Sequence, residues 1–244
     1  MTNKSLCIAS LALLLFVGQI SAQAHYWQFD EGTGKIAKDS KGGRRDAVNG
    51  VLNNAQWRDL SKVGPGAAVR LTGDDNSYVS FGDNIGQFGR NDFTVALWVQ
   101  TTDKLALYDL VGNRASSGHG NFFAIRMTGD GYVSAEVDED EHGTDYIGVT
   151  SAQKGLNDRH WHSIIVTRIG NTLTLYIDGK ASNSGSARGT ADIKNRNVFK
   201  LGRSLVDRSV RRFAPDALFD DLAIFDYGMG AFEAQLWWQR ATNE

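Results

Sequence analysis

The sequence predicts an all-β domain of antiparallel hairpins, and three observations carry this. Short runs rich in β-branched and aromatic residues recur along the chain, bounded by Gly, Asn and Asp. The turns Thr128-Gly129-Asp130-Gly131 and Ile177-Asp178-Gly179-Lys180 place glycine where a hairpin needs positive φ, and Gly170-Asn171 does the same between two apolar runs. Helical periodicity is confined to two short pieces.

Taken in order, the chain opens with Lys4 ahead of an apolar run over residues 6–17, too short to rest across a bilayer and typical of an export signal. Small residues in Ala22-Gln23-Ala24 place the cut after Ala24, with Ser21-Ala22 as the alternative, so residues 1–24 are a signal peptide and His25 begins the mature chain. A secreted or periplasmic location follows. The only cysteine, Cys7, lies inside the removed run. The mature domain therefore relies on its own core or on a bound ion rather than on disulfides, and about 220 residues suffice for one large β domain.

Strands are expected at 26–30, Ala68–Thr72, 78–81, Phe93–Thr101, 107–111, 122–127, 132–137, 161–168, Thr172–Ile177, 198–202 and 218–225. Ile164 and Val166 alternate with Ser163, Ile165 and Thr167, and Leu173, Leu175 and Ile177 alternate with Thr172, Thr174 and Tyr176, so one face of each strand enters a core. Helix-like pieces are expected at 84–89 and at 231–240, the latter with an apolar side around Phe232, Leu236 and Trp237. Of Trp237 and Trp238, one is read as core-facing and the other as partly exposed. No repeat, low-complexity tract or Pro-rich linker divides residues 25–244, which are read as one domain.

Charge excludes two partner classes. The formal charge is -2, and loss of Lys4 with the signal takes it to -3, so no basic field serves nucleic acid or an anionic membrane. After residue 24 no apolar stretch is long enough for membrane insertion.

The order of segments resembles the laminin-G-like domains of bacteria. Tyr26-Trp27-Gln28-Phe29-Asp30-Glu31-Gly32-Thr33-Gly34 is like the family's W-x-F-D-E-G-x-G, and Asp39-Ser40-Lys41-Gly42-Gly43 is like D-S-S-G-N-G. Ala67 to Gly73 resembles G-x-A-L-x-F-D-G, and Phe93-Thr94-Val95-Ala96-Leu97-Trp98-Val99 resembles F-T-I-S-A-W-V. Trp161 to Thr167 follows W-H-H-V-A-V-T, Leu175-Tyr176-Ile177-Asp178-Gly179 follows L-Y-V-D-G, and Phe219 to Phe225 follows I-D-E-V-R-I-Y. Seven such segments in order cover the mature chain. The resemblance implies a two-sheet antiparallel jelly-roll sandwich of the concanavalin A-like lectin/glucanase type, with a glycan or protein ligand held by loops or by one concave face. It also implies a structural calcium ion held by Asp39 and Asp220, completed by carbonyls of the Gly42-Gly43 turn and by water, since calcium takes six to eight oxygens. The residues alone leave open an Asx turn at Asp39 and a salt bridge at Asp220.

A sugar-binding surface needs aromatic faces for pyranose rings and planar polar groups for hydroxyls. Such groups gather in three loops: Arg114, His119 and Asn121 around Ser116-Ser117-Gly118; Asp145 and Tyr146 after an acidic stretch; and Arg203 with Asp207, Arg208, Arg211 and Arg212 before Phe213. Arg114, His119, Asn121, Asp145, Tyr146, Arg203 and Arg211 are the candidate ligand-binding residues. Four arginines within ten residues also suit carboxylates or sulfates, so an acidic polysaccharide is a candidate partner beside neutral glycan and a surface protein. The alternative of a glycoside hydrolase or polysaccharide lyase rests on Glu136-Val137-Asp138-Glu139-Asp140-Glu141, which resembles the E-x-D-x-x-E of laminarinase-type β-glucanases and would turn Glu136 and Asp138 to one face. His162 is read as structural rather than metal-binding.

Overall fold

The computed structural model describes residues 23–40, 47–74, 76–115, 117–203 and 214–241. Two antiparallel sheets of eight strands stack as a jelly-roll sandwich. In chain order the strands are β1 (Gln23–Trp27), β2 (Ile36–Ala37), β3 (Gly50–Asn53), β4 (Gln56–Arg58), β5 (Ala68–Thr72), β6 (Tyr78–Ser80), β7 (Phe93–Thr101) and β8 (Leu107–Gly112). They continue with β9 (Phe122–Thr128), β10 (Val133–Asp138), β11 (Ile147–Thr150), β12 (His162–Ile169), β13 (Thr172–Ile177), β14 (Lys180–Ser186), β15 (Lys200–Leu201) and β16 (Asp216–Phe225). The first sheet runs β14-β13-β12-β7-β16-β5-β4, with β1 paired to the far half of β16; the second runs β11-β10-β9-β8-β15-β6-β3-β2. Strand β1 begins at Gln23, two residues ahead of the expected signal cut.

The main core lies between the sheets, where period-two alternation sends Val95, Leu97 and Val99 of β7 against Phe123, Ile125 and Val137 of the second sheet, with Ile164, Val166, Phe219 and Leu222 beside them. Each such side chain contributes about 2 kcal/mol on leaving water. A smaller core covers the outer face of the first sheet. Here the single helix among the described residues, α1 (Ala231–Gln239), presses Ala234 and Trp237 onto Ala96, Ile165, Ala223 and Phe225. This explains why β12 carries apolar residues on both faces. Gly230 caps the helix, its N–H donating to the Glu233 carboxylate at 2.9 Å.

Two expectations need correction. Residues 84–89 form turns rather than helix, because Gly86 and Gly89 take φ of 78° and 56°. The buried side of α1 is Ala234 and Trp237, while Phe232 is 66% exposed, because the face that meets the sheet is set by the chain's entry through Met229 and Gly230. Trp238, next to buried Trp237, is half-buried as expected. Among the described residues no helix is long and apolar enough to cross a membrane.

Candidate functional site

The outer face of the second sheet carries a row of charges laid across three strands. Along β10, Val133, Ala135 and Val137 enter the core, so Ser134, Glu136 and Asp138 point outward. Register places Asp109 of β8 opposite Arg126 of β9. Arg126 Nε donates to Asp109 Oδ1 at 3.1 Å, and its Nη1 lies 3.8 Å from Glu136 Oε1. Arg114 closes the row through an ion pair with Glu136. It also donates to the carbonyls of Ser117 and Gly118 at 3.0 and 2.9 Å, and its guanidinium covers the Phe122 ring at 4.1 Å. Arg114 and Arg126 are largely buried and Asp109 fully so, so each charge has its partner where desolvation demands one.

An aromatic pair sits at the open end of this row. His119 Nδ1 meets Asp138 Oδ2 at 2.7 Å, and the Tyr146 ring stands edge-on to the imidazole at 5.2 Å and 84°. Glycine creates the space: a Cβ on Gly148 would fall 2.5 Å from the Tyr146 hydroxyl, and one on Gly143 would fall 2.8 Å from the His119 ring. Tyr146 is 39% exposed, which leaves ring surface to solvent. Burial of the rest, then the Glu136 charge, raises the phenol's pKa above its ordinary value.

The structure thus brings together Arg114, His119 and Tyr146 of the expected ligand-binding residues. Asn121 ties loops instead, donating to the carbonyls of Glu139 and Asp192 at 2.8 and 2.7 Å and accepting from the Lys194 N–H at 2.8 Å. Asp145 adjoins Tyr146 but accepts the Gly189 N–H at 2.7 Å. Arg203 follows Gly202, whose N–H bonds to Leu110 next to Asp109, at the far end of the row. Arg211, with Asp207, Arg208 and Arg212, lies outside the described residues. Sequence reasoning missed Arg126, for which alternation along β9 was the available signal.

Glu136 and Asp138 share the outer face, as their spacing implies, but neither is arranged for acid or nucleophile work. Glu136 is spent in pairs with Arg114 and Arg126, and Asp138 is buried, accepting the N–H groups of Gly120 and Glu139 at 3.2 and 3.0 Å. Glu139 pairs with Arg90 at 3.1 Å, and Glu141 is exposed.

Asp39 and Asp220 are held by different segments. Asp39 accepts the N–H groups of Tyr26 and Val48 at 3.1 and 3.2 Å and meets His25 Nδ1 at 2.7 Å. Asp220 Oδ2 accepts Lys62 N–H at 2.7 Å, Val63 N–H at 3.3 Å and Ser61 Oγ–H at 3.2 Å. These donors satisfy a carboxylate without a cation, and among the described residues no three His, Cys, Asp or Glu side chains gather to hold an ion. The Gly42-Gly43 turn expected to complete the shell lies outside the described residues. Beside Asp220 the strand bulges, and Asp221 takes φ of 49°. Burial, with the charge of Asp221, pushes Asp220 up to about 7, and burial pushes Asp221 up to about 6. His162 bridges two carboxylates, Asp178 at 2.9 Å and Asp158 at 3.1 Å, as a structural imidazole would.

Comparison with known proteins adds a family match and a set of fold neighbours. A laminin-G-like family model, described as concanavalin A-like lectin/glucanases superfamily, matches residues 72–234. No curated protein sequence matches. Among solved structures, the binding domain of Paraclostridial Mosquitocidal Protein 1 is 19% identical with a TM-score of 0.69, covering 89% of this chain and 52% of its own. Botulinum neurotoxin type C, reported with the dependence of its cell entry on two ganglioside molecules, is 11% identical with a TM-score of 0.70, covering 93% of this chain and 53% of its own. The binding domain of botulinum neurotoxin DC in complex with rat synaptotagmin II is 13% identical with a TM-score of 0.66, covering 91% and 52%. The chain spans about half the length of each of these, and at such identities the likeness is one of fold.

Proposed function

The chain belongs to the concanavalin A-like lectin/glucanases superfamily, and from that premise we propose that it is a glycan-binding module whose site is the outer face of the second sheet. The observation that carries this is the partly exposed Tyr146 ring, set against His119 at the end of the Asp109–Arg126–Glu136–Arg114 row. An aromatic face takes the apolar side of a pyranose, while fixed guanidinium and carboxylate groups orient its hydroxyls. Each arginine in the row has a carboxylate partner, which favours a neutral glycan over an acidic polysaccharide at this surface. Pairing of Glu136 with arginine speaks for binding over hydrolysis or lyase chemistry, which needs two converging titratable groups in one cleft. Fold neighbours that engage gangliosides or synaptotagmin are in keeping with a carbohydrate or a surface protein as partner.

Glycan-array screening followed by calorimetry tests the proposal. Tyr146→Ala is expected to weaken the best glycan about tenfold or more, an apolar-stacking loss of roughly 1.4 kcal/mol, with the melting midpoint preserved. Undiminished binding by Tyr146→Ala overturns the assignment, as does a partner that proves to be protein alone. If only uronate or sulfated glycans bind and Tyr146→Ala is silent, the Tyr146 surface is not the site.

Export and calcium belong to the same proposal. Mass analysis of the exported protein should find His25 at its N-terminus. Calcium at Asp39 and Asp220 should raise the melting midpoint relative to excess chelator, because an ion bound only by the native state stabilises it; equal midpoints remove the ion from the proposal and leave both carboxylates to their N–H and hydroxyl donors.

A further inference from the structure

A groove of about 300 Å³ crosses the outer face of the first sheet, at the end of β7 and β16 away from α1. Arg58 of β4, Arg70 of β5 and Arg159 of the turn before β12 reach it from three separate segments, against a single lining carboxylate, Asp216. That carboxylate is already taken. Arg70 Nε and Nη2 grip it at 3.0 and 2.9 Å, a two-point pair that fixes both side chains in the groove wall. Arg58 donates to the neutral amide of Gln56 at 2.6 Å, so its charge is not cancelled there.

Arg159 is the third and most exposed guanidinium. Its backbone holds φ of 74°, a left-handed conformation that disfavours an arginine, and its N–H is pinned to the Thr101 carbonyl at 3.1 Å on the groove rim. Strain of this kind persists where the surrounding structure imposes it, and clusters at ligand clamps. Among the described residues neither Arg58 nor Arg159 makes an ion pair, so the groove presents two guanidinium groups to an anion. Gln100 and Thr102 beside them offer amide and hydroxyl partners, and Leu218 offers an apolar floor.

From these features we infer that the groove is a second binding site, on the sheet opposite Tyr146, that takes an acidic saccharide along its length, one carboxylate or sulfate at Arg58 and another at Arg159. Each planar guanidinium matches an oxyanion bidentately, and the neighbouring amide and hydroxyl suit the ring hydroxyls of a sugar rather than the side chains of an acidic peptide. The inference does not depend on the Tyr146 surface.

The test is calorimetric titration of the full-length protein with an oligogalacturonate, a sulfated heparin oligosaccharide and a neutral cello-oligosaccharide, followed by a poly-glutamate peptide. Arg159→Gly removes the guanidinium while suiting the left-handed backbone, so it should fold at least as well as the parent. It and Arg58→Gln are each expected to weaken the acidic saccharide about tenfold and to flatten its salt dependence, with the neutral saccharide unaffected. The carboxylated and sulfated arms show which oxyanion is preferred. Tyr146→Ala should leave this binding unchanged, which separates its failure from that of the neutral-glycan site. Acidic saccharides that do not bind at millimolar concentration, or that bind the Arg58→Gln/Arg159→Gly double variant as well as the parent, overturn the inference, as does tighter binding of poly-glutamate.

Discussion

Several side chains here do their work through fixed partners rather than through burial alone. Arg168, 1% exposed, spans the sandwich edge and donates to the carbonyls of Gly89, Asn91 and Ala191, tying β12 to two loops that have no ladder of their own. Burial pulls its pKa down to about 10, still far above neutrality, so it remains a cation. His162 is the residue that couples the fold to pH. Burial alone would lower its pKa, but the hydrogen bonds and charges of Asp178 and Asp158 outweigh burial and raise it above 6.5. A raised folded-state value means the pairing stabilises fully below about 6.5 and is lost as pH rises through the folded value. His162→Gln should therefore cost roughly 1 kcal/mol near pH 6 and much less above about pH 8, a small figure because both carboxylates are partly exposed. Equal losses at both pH values, measured by urea unfolding, would show that the imidazole acts by shape and not by charge.

At the scale of elements, central strands were legible and edges were not. Strands β5, β7 and β13 begin and end where their β-branched and aromatic runs do, because both ladders and core claim those residues. Strands β2, β3, β4, β11 and β14 were not anticipated. Each is short or polar, and β14, Lys180-Ala181-Ser182-Asn183-Ser184-Gly185-Ser186, has almost no apolar content; it is a strand because β13 offers it an unpaired edge. The turn before it shows how local chemistry serves distant packing. Asp178 and Gly179 take φ of 50° and 73°, the positive pair that a two-residue hairpin requires. A Cβ on Gly179 would also fall 2.9 Å from Trp238 Cβ and 3.2 Å from Gln235 Cα. Gly179→Ala should accordingly cost about 1–2 kcal/mol and loosen α1, read as faster amide exchange in 231–239 with the β7–β12 ladder still protected.

Over the whole molecule, the two outer faces have different employments. The first sheet gives half of its outer face to α1 and the other half to the arginine groove, whereas the second sheet carries the charged row and its aromatic pair. Trp237 anchors the helix, with its ring edge-on to Phe225 at 5.3 Å and to Tyr26 at 6.1 Å. Trp237→Ala should lose about 3–5 kcal/mol, the cost of an emptied aromatic site, yet leave glycan affinity at Tyr146 unchanged below the new melting range. A parallel loss of affinity would mean that the sheets communicate through the core.

What the sequence determined by itself was the sandwich, the hairpin order, and the residence of Arg114, His119 and Tyr146 in polar loops, because alternation and turn chemistry are written into contiguous residues. It also placed Glu136 and Asp138 on one face. Only the tertiary structure decided what those carboxylates meet: the Asp109–Arg126–Glu136–Arg114 row exists because three strands pair in one register and a loop folds back over them. The arginine groove is non-local in the same way, since Arg58, Arg70 and Arg159 are far apart in the chain and share a wall only after β4, β5, β16, β7 and β12 have found their neighbours. Periodicity fixes which way a side chain faces; its partners depend on sheet order and register, which arise from contacts across the whole chain.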